Sequence, residues 1–107
     1  MDKLKDRLIL KSFDVNISNE IKKQAPEFKQ SVLVNVKEKI ANKLQLLNFK
    51  PEIIGPHFKM LERQTINSYQ KKGYQIFPWT INEIADIKRF ISYGVDGIIT
   101  DYPNEVI

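Results

Sequence analysis

The sequence predicts one α/β domain built on a parallel β-sheet, and three observations support that prediction. Short apolar segments alternate with helical segments along the chain, which is the pattern of successive parallel βα units. The length of 107 residues suffices for one small domain. The composition, with 42% hydrophobic and 28% charged residues, is that of an ordinary globular protein. We therefore expect residues 1–107 to form a single domain.

The first predicted strand covers residues 7–13, a short apolar run bounded by charged residues. Ser18 is placed to cap a short helix over residues 19–25, which Pro26 ends. The second predicted strand covers residues 31–34 and contains two valines. These elements form the first βα unit and the start of the second.

The next helix is predicted over residues 36–47, where apolar residues recur at helical spacing. A third, very short strand follows over residues 52–55, and Pro56 closes it. The helix also carries a run of lysines, which we expect to form a solvated face: Lys37, Lys39 and Lys43.

Residues 61–72 predict a helix that ends at Gly73, the residue best suited to a left-handed helix terminus. The fourth strand is predicted over residues 74–81. It contains Pro78, which has no N–H to donate to a sheet, so we expect the strand to end, bulge or bend there.

The last βα unit begins with Asn82, which we expect to cap a helix over residues 83–93 that Gly94 ends. Residues 95–100 predict the fifth strand, with polar residues at its C-terminal end, where parallel α/β proteins bind ligands. Five such units do not close an eight-stranded barrel, so they predict an open sheet or part of a barrel.

The composition also excludes several classes of protein. The chain has no cysteine, which excludes disulfides and thiolate metal sites. No apolar run approaches the ~20 residues of a membrane helix, and the N-terminal sequence MDKLKDRLIL has no apolar core of a signal peptide. The net charge of +4 comes from scattered lysines. We expect a cytoplasmic protein that has no membrane segment and binds no nucleic acid.

Three segments together resemble the glycerophosphodiester phosphodiesterase family. LKSFD at residues 10–14 resembles that family's "SF" strand. PWTIN at residues 78–82 resembles its WT-x-N segment. GVDGIITDYP at residues 94–103 resembles its closing segment, and one predicted helix separates the last two motifs, as in the family. The resemblance extends from about residue 7 to residue 103.

The resemblance implies a fold and an activity. The family adopts a TIM (β/α)8 barrel and hydrolyses glycerophosphodiesters to an alcohol and glycerol 3-phosphate, a reaction of lipid and glycerol metabolism that uses a divalent cation, Ca²⁺ or Mg²⁺. The five strands would correspond to the family's last five. This chain would then be the C-terminal portion of the barrel domain, not closed within one chain.

The family's catalytic motifs have no counterpart in this sequence. They are an HRG histidine, an E-x-D metal pair, an HD histidine and an E-x-K glutamate, on the first strands and an adjacent loop. The only histidine, His57, follows Pro56 outside such motifs, and we expect it to be a loop residue. Asp14, Asp96 and Asp101 lie on separate segments, and we expect Asp96 to be structural. We therefore expect no catalytic and no metal-binding residue here, no cofactor in this chain, and no activity of the chain alone.

The resemblance assigns substrate contacts to two aromatic residues. Trp79 would form part of the substrate wall near the glycerol; the alternative is a core tryptophan with its N–H satisfied. Phe13 would be a second wall residue; the alternative is a filler of the barrel interior. Four further residues would support the site: Ser12, Asn82, Thr100 and Asp101. For Asn82 the alternative role is the capping of the helix that follows it.

Three functional interpretations remain open at this stage. In the first interpretation, this chain is part of an enzyme. A second chain supplies the first strands, and the completed site binds a glycerophosphodiester. Alternatively, it is a non-catalytic module that binds phosphoesters, or a partial barrel that associates with itself through open strand edges.

Overall fold

The computed structural model describes residues 9–101, so the expectations for residues 7, 8, 102 and 103 lie outside the described residues. The described chain alternates strands and helices, as the sequence predicts. The elements are β1 (Ile9–Ser12), α1 (Val15–Gln24), β2 (Lys29–Val34), α2 (Ile40–Gln45), β3 (Ile53–Pro56), a 3-10 helix (Phe58–Met60), α3 (Arg63–Lys71), β4 (Gln75–Ile76) and α4 (Ile84–Ser92).

The four strands form one parallel sheet in sequence order, β1-β2-β3-β4. One row of paired residues runs across it, from Ser12 through Val32 and Ile54 to Ile76. The predicted parallel α/β fold is therefore confirmed, and the parallel strands bring their C-terminal ends to one edge of the sheet.

The predicted fifth strand is not a regular strand in the described residues, yet its backbone continues the sheet. The Asp96 N–H donates to the Ile76 carbonyl (3.1 Å), and the Ile99 N–H donates to the Pro78 carbonyl (3.0 Å). The Ile81 N–H donates to the Ile99 carbonyl (2.9 Å). Because Pro78 has no N–H, it accepts from this segment but cannot donate to it. Toward β3 the backbone bonds continue past β4, from the Phe77 N–H to the Ile54 carbonyl (3.0 Å) and from the Trp79 N–H to the Pro56 carbonyl (3.2 Å).

The apolar core lies between one face of the sheet and the helices. Val34 of β2, Ile54 of β3 and Ile76 of β4 are fully buried in it. From the helical side, Ile66 of α3 and Phe90 of α4 are equally buried. Gly73 and Gly94 have φ of +96° and +82°, so glycine ends α3 and α4 in the left-handed conformation, as the sequence predicts.

The start of α1 differs from the prediction. Asp14 caps the helix, because its Oδ1 accepts hydrogen bonds from the N–H groups of Asn16 (2.8 Å) and Ile17 (3.3 Å). Ser18, the predicted cap, is instead a buried residue inside the helix. Because the Asp14 carboxylate binds the free N–H groups of the first turn, the helix begins at Val15, four residues earlier than predicted.

The start of α2 also differs, because the helix begins at Ile40 and not at residue 36. The preceding residues form a turn in which Glu38 Oε1 accepts from the Asn35 N–H (3.0 Å) and the Glu38 N–H donates to the Asn35 carbonyl (3.0 Å). Lys37 and Lys39 therefore lie on the loop between β2 and α2 and not on a helix face. None of the helices within residues 9–101 has the length and apolar composition that crossing a membrane requires.

Replacement of Asp96 is expected to loosen the last segment. Its Oδ2 accepts from the N–H of fully buried Ile76 (2.8 Å) and from Gln70 Nε2 (3.1 Å). Asp96→Ala leaves that N–H without its partner, so the free energy of unfolding should fall by about 1–3 kcal/mol. Urea denaturation measures the change, and Asp96→Asn, which keeps one oxygen acceptor, should cost less.

Asp86→Ala is the matched control for this prediction. It removes the carboxylate of a partly exposed pair with Arg89 (3.2 Å) on α4, which is worth less than about 1 kcal/mol. Equal losses in Asp96→Ala and Asp86→Ala would contradict the structural role of Asp96.

Candidate functional site

Three aromatic side chains meet at the C-terminal edge of the sheet, and we call them the aromatic cluster: Phe13, His57 and Trp79. Phe13 follows β1, His57 follows β3, and Trp79 lies beyond β4, so their elements end at the same edge. The Phe13 and Trp79 ring centroids are 5.4 Å apart, with the rings nearly perpendicular (84°). The His57 and Trp79 centroids are 4.8 Å apart, again edge to face. This edge is where parallel α/β proteins bind their ligands.

Trp79 is held in place by both its side chain and its backbone. Its Nε1–H donates to the Gly55 carbonyl (2.6 Å), and its N–H donates to the Pro56 carbonyl (3.2 Å). The Phe58 N–H in turn donates to the Trp79 carbonyl (3.0 Å). The indole N–H is hydrogen-bonded, as in a core tryptophan, but the residue is only half-buried, so part of the ring remains accessible. Its contact with substrate stays a prediction.

Gly55 allows this close packing below the indole. A Cβ at Gly55 would lie 2.7 Å from Leu33 Cδ2 and 2.9 Å from Ser31 Oγ, which is closer than real side chains approach. Only glycine therefore lets the neighbouring strand place its side chains beside the carbonyl that Trp79 binds.

His57 is part of the cluster and not simply a loop residue. Its Nδ1 accepts from the Lys59 N–H (3.2 Å), so the neutral ring carries its proton on Nε2. Nε2 makes no hydrogen bond to any residue in the range 9–101. Burial, aided by the charge of Lys59, lowers the pKa of His57 below its usual 6.5, which favours the neutral form. The sequence signal for this role was its position directly after a buried strand.

Phe13 also contacts a buried lysine. Its ring is 45% exposed, and the Lys43 ammonium lies 5.5 Å from the ring centroid. Lys43 Nζ donates to both carboxylate oxygens of Glu38 (2.9 and 3.0 Å), and only 5% of the Lys43 side chain is exposed. The Asn35 N–H and then Lys43 hold the pKa of Glu38 below its usual value. The prediction that Lys43 is a solvated lysine was therefore wrong, because the Glu38 carboxylate allows its burial.

A cleft of about 670 Å³ opens beside Phe13, between the ends of β1 and β2. We call it the lysine cleft. Its walls include an aromatic ring, an amide and five charged side chains, three of them lysines and two of them carboxylates: Phe13, Asn42, Lys37, Lys39, Lys43, Asp14 and Glu38.

Asn82 joins the loop before α4 to the end of the chain's last described segment. Its Nδ2 donates to Asp101 Oδ2 (3.1 Å), and its Oδ1 accepts from the Asp101 N–H (3.0 Å) and from Thr100 Oγ1 (3.3 Å). The expected helix cap was wrong, because Glu83 occupies that position without a side-chain bond. Ser12 Oγ, in turn, accepts from the Asp14 N–H (3.0 Å) and so supports the turn that carries Phe13.

The described carboxylates do not form a site for a divalent cation. Within residues 9–101 no three residues among histidine, cysteine, aspartate and glutamate lie close enough to share a metal ion. The individual carboxylates are also engaged, since Asp14 caps α1, Glu38 binds Lys43, and Asp101 accepts from Asn82. A Ca²⁺ or Mg²⁺ ion needs several oxygen ligands together, which these residues do not supply.

Comparison with known proteins agrees with the motifs in the sequence. The Glycerophosphoryl diester phosphodiesterase family matches residues 1–105. A glycerophosphodiester phosphodiesterase of Caldanaerobacter subterraneus is 30% identical over 102 residues, which are 95% of this chain and 42% of that protein.

Solved structures show the same partial coverage. A glycerophosphodiester phosphodiesterase from Parabacteroides distasonis superposes with a TM-score of 0.78 at 26% identity, over 97% of this chain and 43% of that one. The enzyme from Thermotoga maritima gives a TM-score of 0.67 at 31% identity, over 88% of this chain and 43% of that one. The chain thus spans less than half the length of these relatives, and its open sheet corresponds to part of their TIM-barrel fold.

The ion pair beside Phe13 predicts an asymmetry between two substitutions. Glu38→Gln leaves the buried Lys43 ammonium without a carboxylate, so the free energy of unfolding should fall by about 1–3 kcal/mol at pH 7. Lys43→Met should cost less than about 1 kcal/mol, because Glu38 is 41% exposed and stays solvated while methionine fills the space. Urea denaturation of both variants measures the difference, and equal losses would contradict this account.

The same pair predicts how the loss depends on pH. The folded pKa of Glu38 is depressed, so its contribution is fully present above the usual value of 4.5 and is lost as the pH falls through the lower folded pKa. The gap in stability between the unsubstituted protein and Glu38→Gln should therefore narrow in strongly acidic buffer. A gap that persists unchanged there would show that the carboxylate charge is not its source.

Proposed function

This chain belongs to the glycerophosphoryl diester phosphodiesterase family, and we propose that it forms the substrate-facing portion of a site that hydrolyses glycerophosphodiesters to an alcohol and glycerol 3-phosphate. The observation that carries the proposal is the aromatic cluster at the C-terminal edge of the sheet, where Trp79 and Phe13 meet within 5.4 Å. That edge is where barrel enzymes place their active sites.

The residues of the cluster suit the two ends of a small polar ligand. Trp79 and Phe13 supply flat apolar surface for the carbon atoms of a glycerol group. The neutral His57 ring presents its Nε2–H as a donor to an oxygen atom, since Nδ1 is already bound to Lys59. These groups bind and orient a substrate, but they do not activate water.

Hydrolysis of a phosphodiester also requires an activated water, a proton for the leaving alcohol and stabilisation of the developing charge. The described residues offer no set of ligands for a divalent cation. We therefore propose that the remaining strands of the barrel, on the same or another polypeptide, supply the metal ligands and the acid–base residues. In relatives of full length, Ca²⁺ or Mg²⁺ would provide the charge stabilisation.

A second candidate function is a partial-barrel module that binds phosphoesters without hydrolysis or associates with itself. It is favoured by exposed apolar side chains, including Ile9 on β1 (38% exposed) and Ile17 on α1 (52%). Within residues 9–101, β1 pairs with β2 alone, and a strand edge of this kind invites pairing with another chain.

The 107-residue chain alone should bind glycerol 3-phosphate but not hydrolyse glycerophosphodiesters. Calorimetry should show that Phe13→Ala weakens binding about three- to tenfold, because one aromatic wall is lost. Phe49→Ala is the control, since Phe49 precedes β3 at the opposite edge of the sheet. Glycerol 3-phosphate release should stay at background with Ca²⁺ or Mg²⁺. If this chain alone released glycerol 3-phosphate and a chelator abolished the release, the proposal that the remaining strands supply the metal ligands would be contradicted.

The chain should associate at micromolar concentration if the edge of β1 is available to other chains. Light scattering coupled to size exclusion measures the mass, and Ile9→Lys should shift it toward the monomer, because a lysine on an edge strand opposes pairing. Ile91→Lys on α4 is the control, since Ile91 is also exposed (57%). A monodisperse monomer of the unsubstituted chain would contradict self-association.

A further inference from the structure

The lysine cleft carries an excess of positive charge that the fold itself does not use. Lys43 is neutralised by Glu38, and the Asp14 carboxylate is occupied by the backbone of α1. Within the described residues, by contrast, Lys37 and Lys39 form no ion pair. Both are exposed and line the cleft. With three lysines and two carboxylates in its wall, the cleft has a formal net charge of +1, and the two lysines without an ion pair in the described residues are both exposed to whatever enters it.

The aromatic cluster and the lysine cleft share one residue. The Phe13 ring contacts Trp79 within the cluster and also forms part of the wall of the cleft. The two features are therefore adjacent at Phe13. The volume of about 670 Å³ is in the range of small-molecule sites, which leaves room for a group beyond glycerol phosphate.

The charges of the cleft discriminate between kinds of head group. An ammonium group on a ligand would normally be attracted to an aromatic face. Here the Lys43 ammonium already lies 5.5 Å from the Phe13 centroid. The three lysines of the wall outnumber its two carboxylates, Asp14 and Glu38, so the cleft as a whole repels a further cation. An anionic group meets the opposite situation, with two free ammonium groups and the Asn42 amide available as donors.

We infer that the lysine cleft is the head-group subsite and selects glycerophosphodiesters whose head group carries a second anionic group over those with a choline-like head group. This inference rests on the proposed function, because it takes the aromatic cluster to bind the glycerol end. The inference adds that the head group of the substrate is anionic and that Lys37 and Lys39 determine this specificity.

The experiment uses Trp79, the only tryptophan of the chain, as its fluorescent reporter. Three ligands are titrated into the 107-residue protein at low salt: glycerol 3-phosphate, glycerophosphocholine and bis(glycerophospho)glycerol, which has two phosphodiesters and no ammonium. The last should bind at least about tenfold more tightly than glycerophosphocholine. Raising the salt from about 0.05 to 0.5 M should reduce that preference, because the lysines are exposed.

The double variant Lys37→Gln/Lys39→Gln tests the residues directly. It should weaken bis(glycerophospho)glycerol binding about three- to tenfold and leave glycerophosphocholine binding within about twofold. The control is Lys71→Gln/Lys88→Gln, which lowers the net charge equally at exposed lysines of α3 and α4 that form no ion pair with a described residue. The control should keep the preference of the unsubstituted protein.

The outcomes separate this inference from the proposed function. If glycerol 3-phosphate binds but the two diesters bind equally, or both double variants lose the same affinity, the head-group subsite is overturned and the proposed function stands. If neither glycerol 3-phosphate nor any diester binds, both are overturned.

Discussion

The hydrogen bond from the Trp79 indole to the Gly55 carbonyl is the contact on which the candidate site depends. It ties the segment beyond β4 to β3 at a distance of 2.6 Å, and the glycine allows the neighbouring side chains of β2 to pack beside it. With the indole fixed, Phe13 and His57 meet its ring from β1 and β3. The aromatic cluster thus brings together residues that follow three strands far apart in sequence.

A second set of contacts holds the C-terminal segment against this frame. Pro78 has no N–H to donate to this segment, and two side chains add contacts on either side of it: Asp96 accepts from the Ile76 N–H, and Asn82 accepts from the Asp101 N–H. The segment therefore completes the edge of the sheet without forming a regular strand. Family membership and the partial coverage of relatives agree with this arrangement, in which one portion of a barrel keeps its strand order.

Much of the fold was predictable because its signals are local. Alternating apolar segments gave the parallel strands, and Gly73 and Gly94 marked two helix ends by their need for positive φ. The errors arose where a distant or competing partner decided the outcome. Lys43 is buried because Glu38 neutralises it, and Asn82 binds a segment 19 residues away instead of capping its own helix. No periodicity in the sequence encodes such pairings.

The measurement that tests the central claim most directly is the NMR signal of the single indole N–H. If Trp79 is anchored to Gly55 at a ligand-binding edge, that proton should exchange slowly with solvent. Its chemical shift should also move when glycerol 3-phosphate is added, while its protection persists. An indole proton that exchanges as fast as a free tryptophan side chain, and that does not respond to the ligand, would contradict both the anchor and the site built on it.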